Sequence, residues 1–171
     1  ALWELLMEAG GEYGITPYGT ETMHVLRAEK GYVIVGQDTD GSVTPADLGM
    51  DWIVSKTKDF IGKRSLVRSD MLRENRKQLV GLVTDQPQKV LPEGTQLVNE
   101  PSTDYPVPMT GHVTSSYYSS ILGRSIALAL VKGGHSRLGA SVYAPTLDGK
   151  LIEAIITSPV FYDPENRLHK T

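Results

Sequence analysis

Apolar residues recur at two different spacings along this chain, and the spacing changes near residue 76. Five apolar side chains at the start fall on one face of a helix: Leu2, Trp3, Leu5, Leu6 and Ala9. Residues three and four positions apart share a helix face, so residues 1–9 are predicted to be helical. A second helix is predicted over residues 21–30, with Thr20 as its N-cap and Gly31 as its end.

Between the second helix and residue 76 the apolar runs are short. Residues 32–35 and 52–55 each predict a short strand. The dipeptide Thr44-Pro45 predicts a helical turn with proline at its first position. From residue 62 onward the sequence predicts a helix whose inward-facing residues are Leu66, Val67 and Leu72.

After residue 76 the helical spacing disappears and short apolar stretches recur with turns between them. The predicted strands are residues 78–84, 95–98, 109–115, 125–131, 141–144 and 151–157. Residues 99–108 are predicted to form a long loop between two of them. Evenly spaced short strands are typical of a small antiparallel barrel or sandwich. The predicted fold class is therefore α+β, with one part over residues 1–76 and an all-β part over residues 77–171.

Composition limits the classes of partner. The chain has 171 residues, of which 40% are hydrophobic, enough to build a core. Its 17 basic and 20 acidic residues give a net charge of −3, which argues against a polyanion binder. The absence of cysteine excludes disulfides and thiol catalysis and fits a reducing compartment. No apolar run reaches the roughly 18 residues that a membrane helix needs. We expect a cytoplasmic protein without nucleic-acid or membrane partners.

One segment departs from the acidic average. Eight basic residues lie between positions 56 and 77: Lys56, Lys58, Lys63, Arg64, Arg68, Arg73, Arg76 and Lys77. Such a cluster fits a phosphate-binding patch, a solvated helix face or a docking surface for a partner. Nucleic-acid platforms interleave several aromatic residues with their charges, and this segment contains one, Phe60, which favours the other two readings.

Candidate chemistry centres on Arg27. The four histidines are widely separated, and no pair has the spacing of metal ligands. Nucleophile-elbow and phosphate-loop motifs are also absent from the sequence. Arg27 lies near the end of a predicted helix, where it would pair with the helix dipole or with Glu29, or bind a carboxylate through its planar fork of donors. Tyr32 and Trp52 would pack in the core or stack on a flat heterocycle.

Several sequence blocks together resemble one family. LWELLMEAG and GITPYGTETMHVLRAEKGY resemble a helix–loop–helix followed by an LRLEAG block, and KDFIGKRSL resembles a KDFIGKxAL block. DTDGSVTPADLGMDWIV and GHVTSSYYSSILGRSIALALV resemble two further blocks. The chain thereby resembles the aminomethyltransferase family, which includes the glycine-cleavage T-protein and the folate-binding domains of sarcosine- and dimethylglycine-oxidising flavoenzymes. Within it, AEKGYVIVGQDTDGSVTP and VFYDPENRLH are most similar to the heterotetrameric sarcosine-oxidising members.

The resemblance implies a partial folate-binding domain followed by a β-barrel. It implies tetrahydrofolate as cofactor, acceptance of a one-carbon unit to give 5,10-methylenetetrahydrofolate, and the other subunits of a heterotetramer as partners. FAD, FMN and NAD would bind elsewhere in that complex. The expected cofactor-binding residues are Arg27, Glu29, Tyr32, Trp52 and Arg167. Arg167 is included for its charge, which would suit the glutamate tail of a folate.

The resemblance also implies where the chemistry lies. The chain opens within a helix and without a methionine, so we expect it to be a fragment whose essential aspartate and pterin-binding glutamate lie upstream. We therefore expect no catalytic residue in these 171 residues and little activity from them alone. Two alternatives remain open: a stand-alone T-protein acting on a lipoyl carrier, and a non-catalytic module that docks subunits.

Overall fold

The computed structural model describes residues 1–102 and 106–169. The two α-helices are α1, Leu2–Gly10, and α2, Thr20–Glu29. Single turns of 3-10 helix cover Gly11–Tyr13, Ala46–Leu48, Asp51–Ile53, Lys63–Val67, Gly134–Arg137 and Arg167–His169. The strands are Lys77–Thr84 (β1), Gln96–Val98 (β2), Met109–Ser119 (β3), Arg124–Lys132 (β4), Ser141–Pro145 (β5) and Leu151–Thr157 (β6).

The strands close into an antiparallel barrel in the order β1-β4-β3-β2-β5-β6, with β6 pairing back onto β1. All six predicted strands are present. Burial alternates along β5 and β6, as in a strand with one buried face, whereas β1 and β4 are buried over consecutive residues. Closure leaves no unpaired sheet edge. The predicted α+β class with a small antiparallel barrel is confirmed. Part of the predicted loop over residues 99–108 falls at 103–105, outside the described residues.

The barrel has two apolar faces. Its interior is filled by small and branched side chains that include Val80, Leu97 and Val113, all fully buried. A second cluster lies outside the barrel, on β1 and β4: Leu79, Leu128 and Leu130. The first part of the chain, residues 1–76, covers this outer cluster with Val33, Val43 and Leu48. The C-terminal segment, residues 158–169, adds Phe161. The barrel wall is therefore apolar on both sides where the rest of the chain packs against it.

A β-bulge interrupts β3. The register with β4 pairs Val113 with Ala129 and then Ser115 with Leu128, so Thr114 is the extra residue. Consecutive residues of a regular strand point to opposite faces, and a bulge relaxes that rule. Because of the bulge, the hydroxyls of Thr114 and Ser115 both point toward Asp38.

The two short strands predicted before residue 76 are wrong. In residues 32–35 the Ile34 carbonyl accepts from the N–H groups of Gln37 and Asp38, and the Ile34 N–H donates to the Asp38 carboxylate at 2.9 Å. This turn satisfies the backbone locally, so no ladder forms. Residues 51–53 form a 3-10 turn for the same reason.

Two smaller expectations, on the helix from residue 62 and on the cap of α2, are also wrong, and a third, on the end of α2, is confirmed. The helix predicted from residue 62 is only the 3-10 turn Lys63–Val67, and Val67 and Leu72 are exposed rather than inward. Helix α2 begins with Gly19 at its N-cap position, and no side chain caps it, so Thr20 is its first residue and not its cap. The end at Gly31 is confirmed, since Gly31 has the left-handed φ of 69° that follows many helices.

Candidate ligand-binding cleft

A cleft of about 540 Å³ lies between helix α2, the turn after β3 and the C-terminal segment. Its walls are mainly apolar and aromatic: Val25, Leu26, Tyr118, Ile121, Tyr162 and Leu168. Polar lining comes from Glu29 and Lys30 at the end of α2 and from Asp163 opposite them. Concave, mostly apolar sites with a few convergent polar groups are the usual setting for small ligands.

Glu29 joins all three walls. It is 4% exposed, although it lines the cleft. Its carbonyl oxygen accepts from the N–H groups of Phe161 and Tyr162, both at 2.9 Å, which anchors the C-terminal segment to α2. Its Oε1 accepts from the buried Ser119 hydroxyl at 2.6 Å. No described donor is hydrogen-bonded to its other oxygen, Oε2.

Lys30 links the C-terminal segment to the end of helix α2 at one side of the cleft. Its ammonium donates to the Asp163 carbonyl at 2.7 Å, to the Asp163 carboxylate at 3.4 Å and to the Asn166 side-chain oxygen at 2.8 Å. Asp163 and Asn166 both have positive φ, 44° and 53°, a conformation that non-glycine residues rarely adopt. Burial works to raise the pKa of Asp163, but hydrogen bonds from the Arg167 N–H and from Lys30 outweigh it and lower that pKa.

Arg27 points away from the cleft into a polar network against β3. Its Nη1 donates to the Asp38 carboxylate at 2.5 Å and to the Tyr32 carbonyl at 3.2 Å. Its Nη2 donates to the Ser115 hydroxyl at 2.7 Å, and its guanidinium carbon lies 5.8 Å from the centre of the Tyr117 ring. Arg27 therefore pairs with Asp38 and not with Glu29. Its Nε is buried without a partner among the described atoms.

Asp38 is the residue that sequence reasoning missed. It is fully buried, and four donors surround its carboxylate. Oδ2 accepts from Arg27 and from the Ile34 N–H, while Oδ1 accepts from the hydroxyls of Thr114 at 2.5 Å and Ser115 at 2.6 Å. A buried carboxylate is tolerated only when it is paired and hydrogen-bonded in this way. The available signal was the run of hydroxyl residues Thr114, Ser115 and Ser116 within β3.

The remaining expected site residues lie apart from the cleft lining. Tyr32 is 53% exposed and Trp52 is 78% exposed, so neither packs in the core. The Arg167 side chain is 79% exposed and pairs with Glu165 at 2.6 Å. It directly precedes Leu168, which does line the cleft. The structure thus brings Glu29 and the C-terminal segment together, places Arg27 behind them, and leaves Tyr32 and Trp52 on the surface.

Two other site types find no support among the described residues. Among the side chains of residues 1–102 and 106–168, no three His, Asp or Glu gather so as to hold a metal ion. No helix in the same ranges is long and apolar enough to cross a membrane.

The fold belongs to a recognised architecture. Residues 77–163 match the glycine cleavage T-protein C-terminal barrel domain, and residues 1–58 match the GCVT N-terminal domain. The chain belongs to the glycine cleavage T-protein family. The family resemblance inferred from the sequence blocks is confirmed.

Within that family, similar curated proteins include sarcosine oxidase alpha subunits. The chain is 54% identical over 166 residues to "Sarcosine oxidase subunit alpha" of Corynebacterium sp. (strain P-1), covering 96% of this chain and 17% of that protein. It is 43% identical over 169 residues to the protein of that name from Rhizobium meliloti (strain 1021), covering 97% and 17%. The chain thus spans about a sixth of the length of these relatives.

More distant relatives share the fold. An aminomethyltransferase of Thermotoga maritima is 30% identical over 161 residues, covering 94% of this chain and 42% of that protein. The crystal structure of glycine cleavage system aminomethyltransferase T from Bartonella henselae superposes with a TM-score of 0.78 at 24% identity, covering 94% of this chain and 44% of that one. This superposition supports the fold alone.

Proposed function

We propose that this chain forms one wall of a tetrahydrofolate-binding cleft in the alpha subunit of a heterotetrameric sarcosine oxidase. The cleft would present tetrahydrofolate to the one-carbon unit released by sarcosine oxidation, giving 5,10-methylenetetrahydrofolate. The observation that carries the proposal is the cleft of about 540 Å³ in which a buried carboxylate, Glu29, faces apolar and aromatic walls. Folate has flat rings with N–H donors, which suit apolar and aromatic walls that carry a few polar groups.

The expected residues take different roles in this proposal. Glu29 would accept hydrogen bonds from the ligand. Arg27 would act indirectly, through its contacts with Asp38 and Ser115, by fixing α2 against β3. Tyr32 and Trp52 offer exposed rings for stacking, and Arg167 would meet the ligand's anionic tail after releasing Glu165. We also propose that residues 1–76 and 77–171 are separate domains, with FAD, FMN and NAD bound elsewhere in the complex.

The test is calorimetric titration of the full-length protein with tetrahydrofolate. Glu29→Gln keeps the size of the side chain and removes its charge, so we expect binding at least about tenfold weaker, as for the loss of a charged hydrogen-bond acceptor. Glu8→Gln, on exposed helix α1, is the matched control and should bind as the wild type does. Absence of tetrahydrofolate binding by the wild-type protein, or equal binding by Glu29→Gln, would contradict the proposal.

We also propose that these 171 residues alone have little or no catalytic activity. In support, the ionisable groups that approach the cleft are engaged structurally: Lys30 with Asp163, and Glu29 with Ser119. A clear tetrahydrofolate-dependent turnover by the 171-residue chain would overturn this part of the proposal.

A second candidate is an aminomethyltransferase acting on a lipoyl carrier. Identities of 30–33% to aminomethyltransferases of Thermotoga species, over 94% of this chain, favour it. Assay of the full-length protein for transfer of an aminomethyl group from a lipoyl carrier to tetrahydrofolate separates the two functions. Transfer without sarcosine-dependent turnover would favour this second candidate.

A third candidate is a module that docks subunits without binding folate. The exposed segment 50–73 favours it, because it carries basic side chains beside the exposed apolar residues Ile61 and Val67. Calorimetry with tetrahydrofolate distinguishes docking from folate binding. If the full-length protein assembles normally but gives no heat of binding, docking is the role that remains.

A further inference from the structure

A second cavity, of about 250 Å³, shares no lining residue with the cleft. Its walls come from residues 44–46, 51–56 and 66–72, and its apolar lining is Pro45, Val54, Leu66, Met71 and Leu72. Asp51 and Lys56 supply its charged groups. We call this cavity the socket. It has room for one large apolar side chain, and such a side chain in a pocket is the usual anchor of a protein interface.

Asp47 and Arg76 hold the walls of the socket together. The buried Asp47 carboxylate accepts from the N–H of Thr44 at 2.8 Å and from the Thr44 hydroxyl at 2.7 Å, which fixes the first wall. The Arg76 guanidinium donates to the same carboxylate at 2.5 Å and to the Asp70 carbonyl at 3.4 Å, which fixes the wall that contains Met71. The socket is therefore already formed in the free chain, and binding need not order its walls.

The segment that forms much of the socket is basic. Residues 54–73 hold six basic and two acidic residues, a net charge of +4 in a chain whose net charge is −3. Both acidic residues are already paired, Asp59 with Lys63 and Asp70 with Arg68, each at 3.3 Å. Four other cations of the segment are exposed, with no hydrogen bond or ion pair from their side chains to residues 1–102 or 106–168: Lys56, Lys58, Arg64 and Arg73.

The centre of this patch is apolar. Ile61 and Val67 are exposed between the cations, and Leu72 is exposed at the socket wall. A phosphate site instead gathers backbone N–H groups into a polar concavity. An apolar centre with a polar rim is the usual anatomy of a protein interface. The patch therefore fits a polypeptide partner rather than a nucleic acid or a free phosphate.

The charge of the patch also selects among polypeptides. Most homodimers are symmetric, so both copies use the same surface, and here like charges would face each other. An acidic partner is attracted by the four unpaired cations and is steered toward the patch before contact. Asp51, the acidic group in the socket lining, suits a backbone N–H of such a partner.

We propose that residues 54–73, together with the socket, form the docking surface for an acidic segment of a different polypeptide, which inserts one large apolar side chain into the socket. The inference rests on the proposed function only in taking that polypeptide as a companion subunit of the same complex. It specifies the site, the anchor and the charge of the partner. It does not depend on whether the cleft binds folate.

Zero-length cross-linking of the complete complex tests the identity of the partner. A carbodiimide joins a lysine amine to a carboxylate in contact with it, and mass spectrometry of the peptides identifies both residues. We expect Lys56 or Lys58 to be joined to an Asp or Glu of a companion subunit. Lys150, in an exposed pair with Asp148, is the control and should be joined only within its own chain. Links from Lys56 and Lys58 to a second copy of this chain or within this subunit alone, or no links at all, would overturn the inference.

A substitution at the socket tests the anchor. Leu72→Asp puts a carboxylate at the socket wall in an exposed position, so the fold should persist. Assembly of the complex, measured by analytical ultracentrifugation, should weaken at least about tenfold, as for the loss of an anchor contact. Leu138→Asp, at an exposed leucine outside the patch, is the matched control and should assemble as the wild type does. Equal assembly by these two variants would contradict the proposal.

A charge substitution tests the rim, and it keeps the proposal testable should Leu72→Asp fail to fold. Lys58→Glu should slow assembly about threefold to tenfold at low salt, because it replaces attraction with repulsion. The difference should shrink at about 1 M salt, where the Debye length is about 3 Å. Lys150→Glu is the matched control and should assemble at the wild-type rate. A Lys58→Glu variant that assembles at the wild-type rate in low salt would also overturn the inference.

Tetrahydrofolate titration of the same variants keeps the two proposals apart. Leu72→Asp should bind tetrahydrofolate as the wild type does, since no socket residue lines the cleft. If the wild type does not bind tetrahydrofolate but the lysine link to a companion subunit forms, the proposed function is wrong and the docking surface stands. If tetrahydrofolate binds but Leu72→Asp assembles normally, the docking surface is wrong and the proposed function stands.

Discussion

The barrel and the 76 residues before it are held in place by different forces. The barrel encloses an interior of aliphatic side chains, including Leu82, Leu97 and Ile156, each at most 1% exposed. In residues 1–76, all of which the structure describes, four residues are buried, and three of these are the carboxylates Glu29, Asp38 and Asp47. Apolar burial is non-directional, whereas a buried carboxylate is favourable only with its partners in place.

The buried carboxylates therefore attach the first part to the barrel, in addition to the half-buried apolar contacts of Val33, Val43 and Leu48. Glu29 and Asp38 both bind hydroxyls of β3, and Asp47 binds Arg76, the residue before β1. The Arg76 guanidinium meets both oxygens of Asp47, at 2.9 Å from Nε and 2.5 Å from Nη2. The barrel should thus tolerate small shifts of geometry, and the first part should depend on a few polar contacts. Four changes test that contrast.

The largest expected effect is at Asp38. Asp38→Ala leaves Arg27 and two hydroxyls without their acceptor, and breaking a buried pair in this way costs about 3–5 kcal/mol. Hydrogen exchange should accelerate in α2 and residues 32–38 and much less in β1 and β4. Asp40→Ala, at an exposed neighbour bonded to Ser42, should cost less than about 1 kcal/mol. Uniform acceleration across both regions would contradict the contrast.

A core substitution gives the reciprocal test. Leu82→Ala removes a fully buried side chain from the barrel interior, which costs about 2–5 kcal/mol in urea unfolding followed by circular dichroism. Leu5→Ala on α1 removes the same atoms from an exposed position and should cost less than about 0.5 kcal/mol. Equal losses would show that α1 packs against the rest of the molecule.

Gly31 tests the contact between α2 and the C-terminal segment. A Cβ at Gly31 would lie 2.6 Å from the Pro159 carbonyl oxygen, and Gly31 also has φ of 69°. Gly36 has φ of 92° and open space around it, so Gly36→Ala carries backbone strain alone, about 1–2 kcal/mol. Gly31→Ala should cost about 1–3 kcal/mol more, the range for overpacking.

Limited proteolysis of Gly31→Ala and Gly36→Ala measures how accessible the C-terminal segment is in each variant. Cleavage after residue 158 should become faster in Gly31→Ala, because the C-terminal segment must move away from α2. Gly36→Ala should leave that cleavage unchanged. Equal cleavage in both variants would contradict the close packing.

The smallest expected effect is the contribution of Asp47 to the pH dependence of the unfolding free energy. Burial acts to raise its pKa, but hydrogen bonds from Arg76 and Thr44 prevail and lower it below the ordinary value of 3.8. The ionised carboxylate therefore stabilises the fold above pH 3.8, and that contribution is lost as the pH falls through the folded-state pKa. Unfolding free energies at pH 6 and pH 3 should differ less in Asp47→Asn than in wild type. Asp59→Asn, in an exposed pair with Lys63, should retain the wild-type difference.

The same contrast explains what the sequence could predict. Barrel strands such as β5 and β6 follow a two-residue alternation that is local, so pattern alone located them. Residues 32–35 are also apolar, but the backbone of Ile34 bonds to Gln37 and Asp38, and an apolar run of four does not specify its partners. The Asp38 site was hidden because its hydroxyl partners on β3 lie 76 and 77 residues away. Glu29 was found through family resemblance, and Ser119 had no local signal.

The bulge in β3 has a consequence for transplanting this site into another barrel. Thr114 and Ser115 reach the same oxygen of Asp38 only because the strand carries one residue more than its partner β4 at that point. Copying the two hydroxyls onto a regular strand would send them to opposite faces. A designer would have to import an insertion, with its shifted register, rather than two point substitutions. By the same reasoning, deleting Thr114 would remove one hydroxyl from the network and also misdirect the hydroxyl of Ser115.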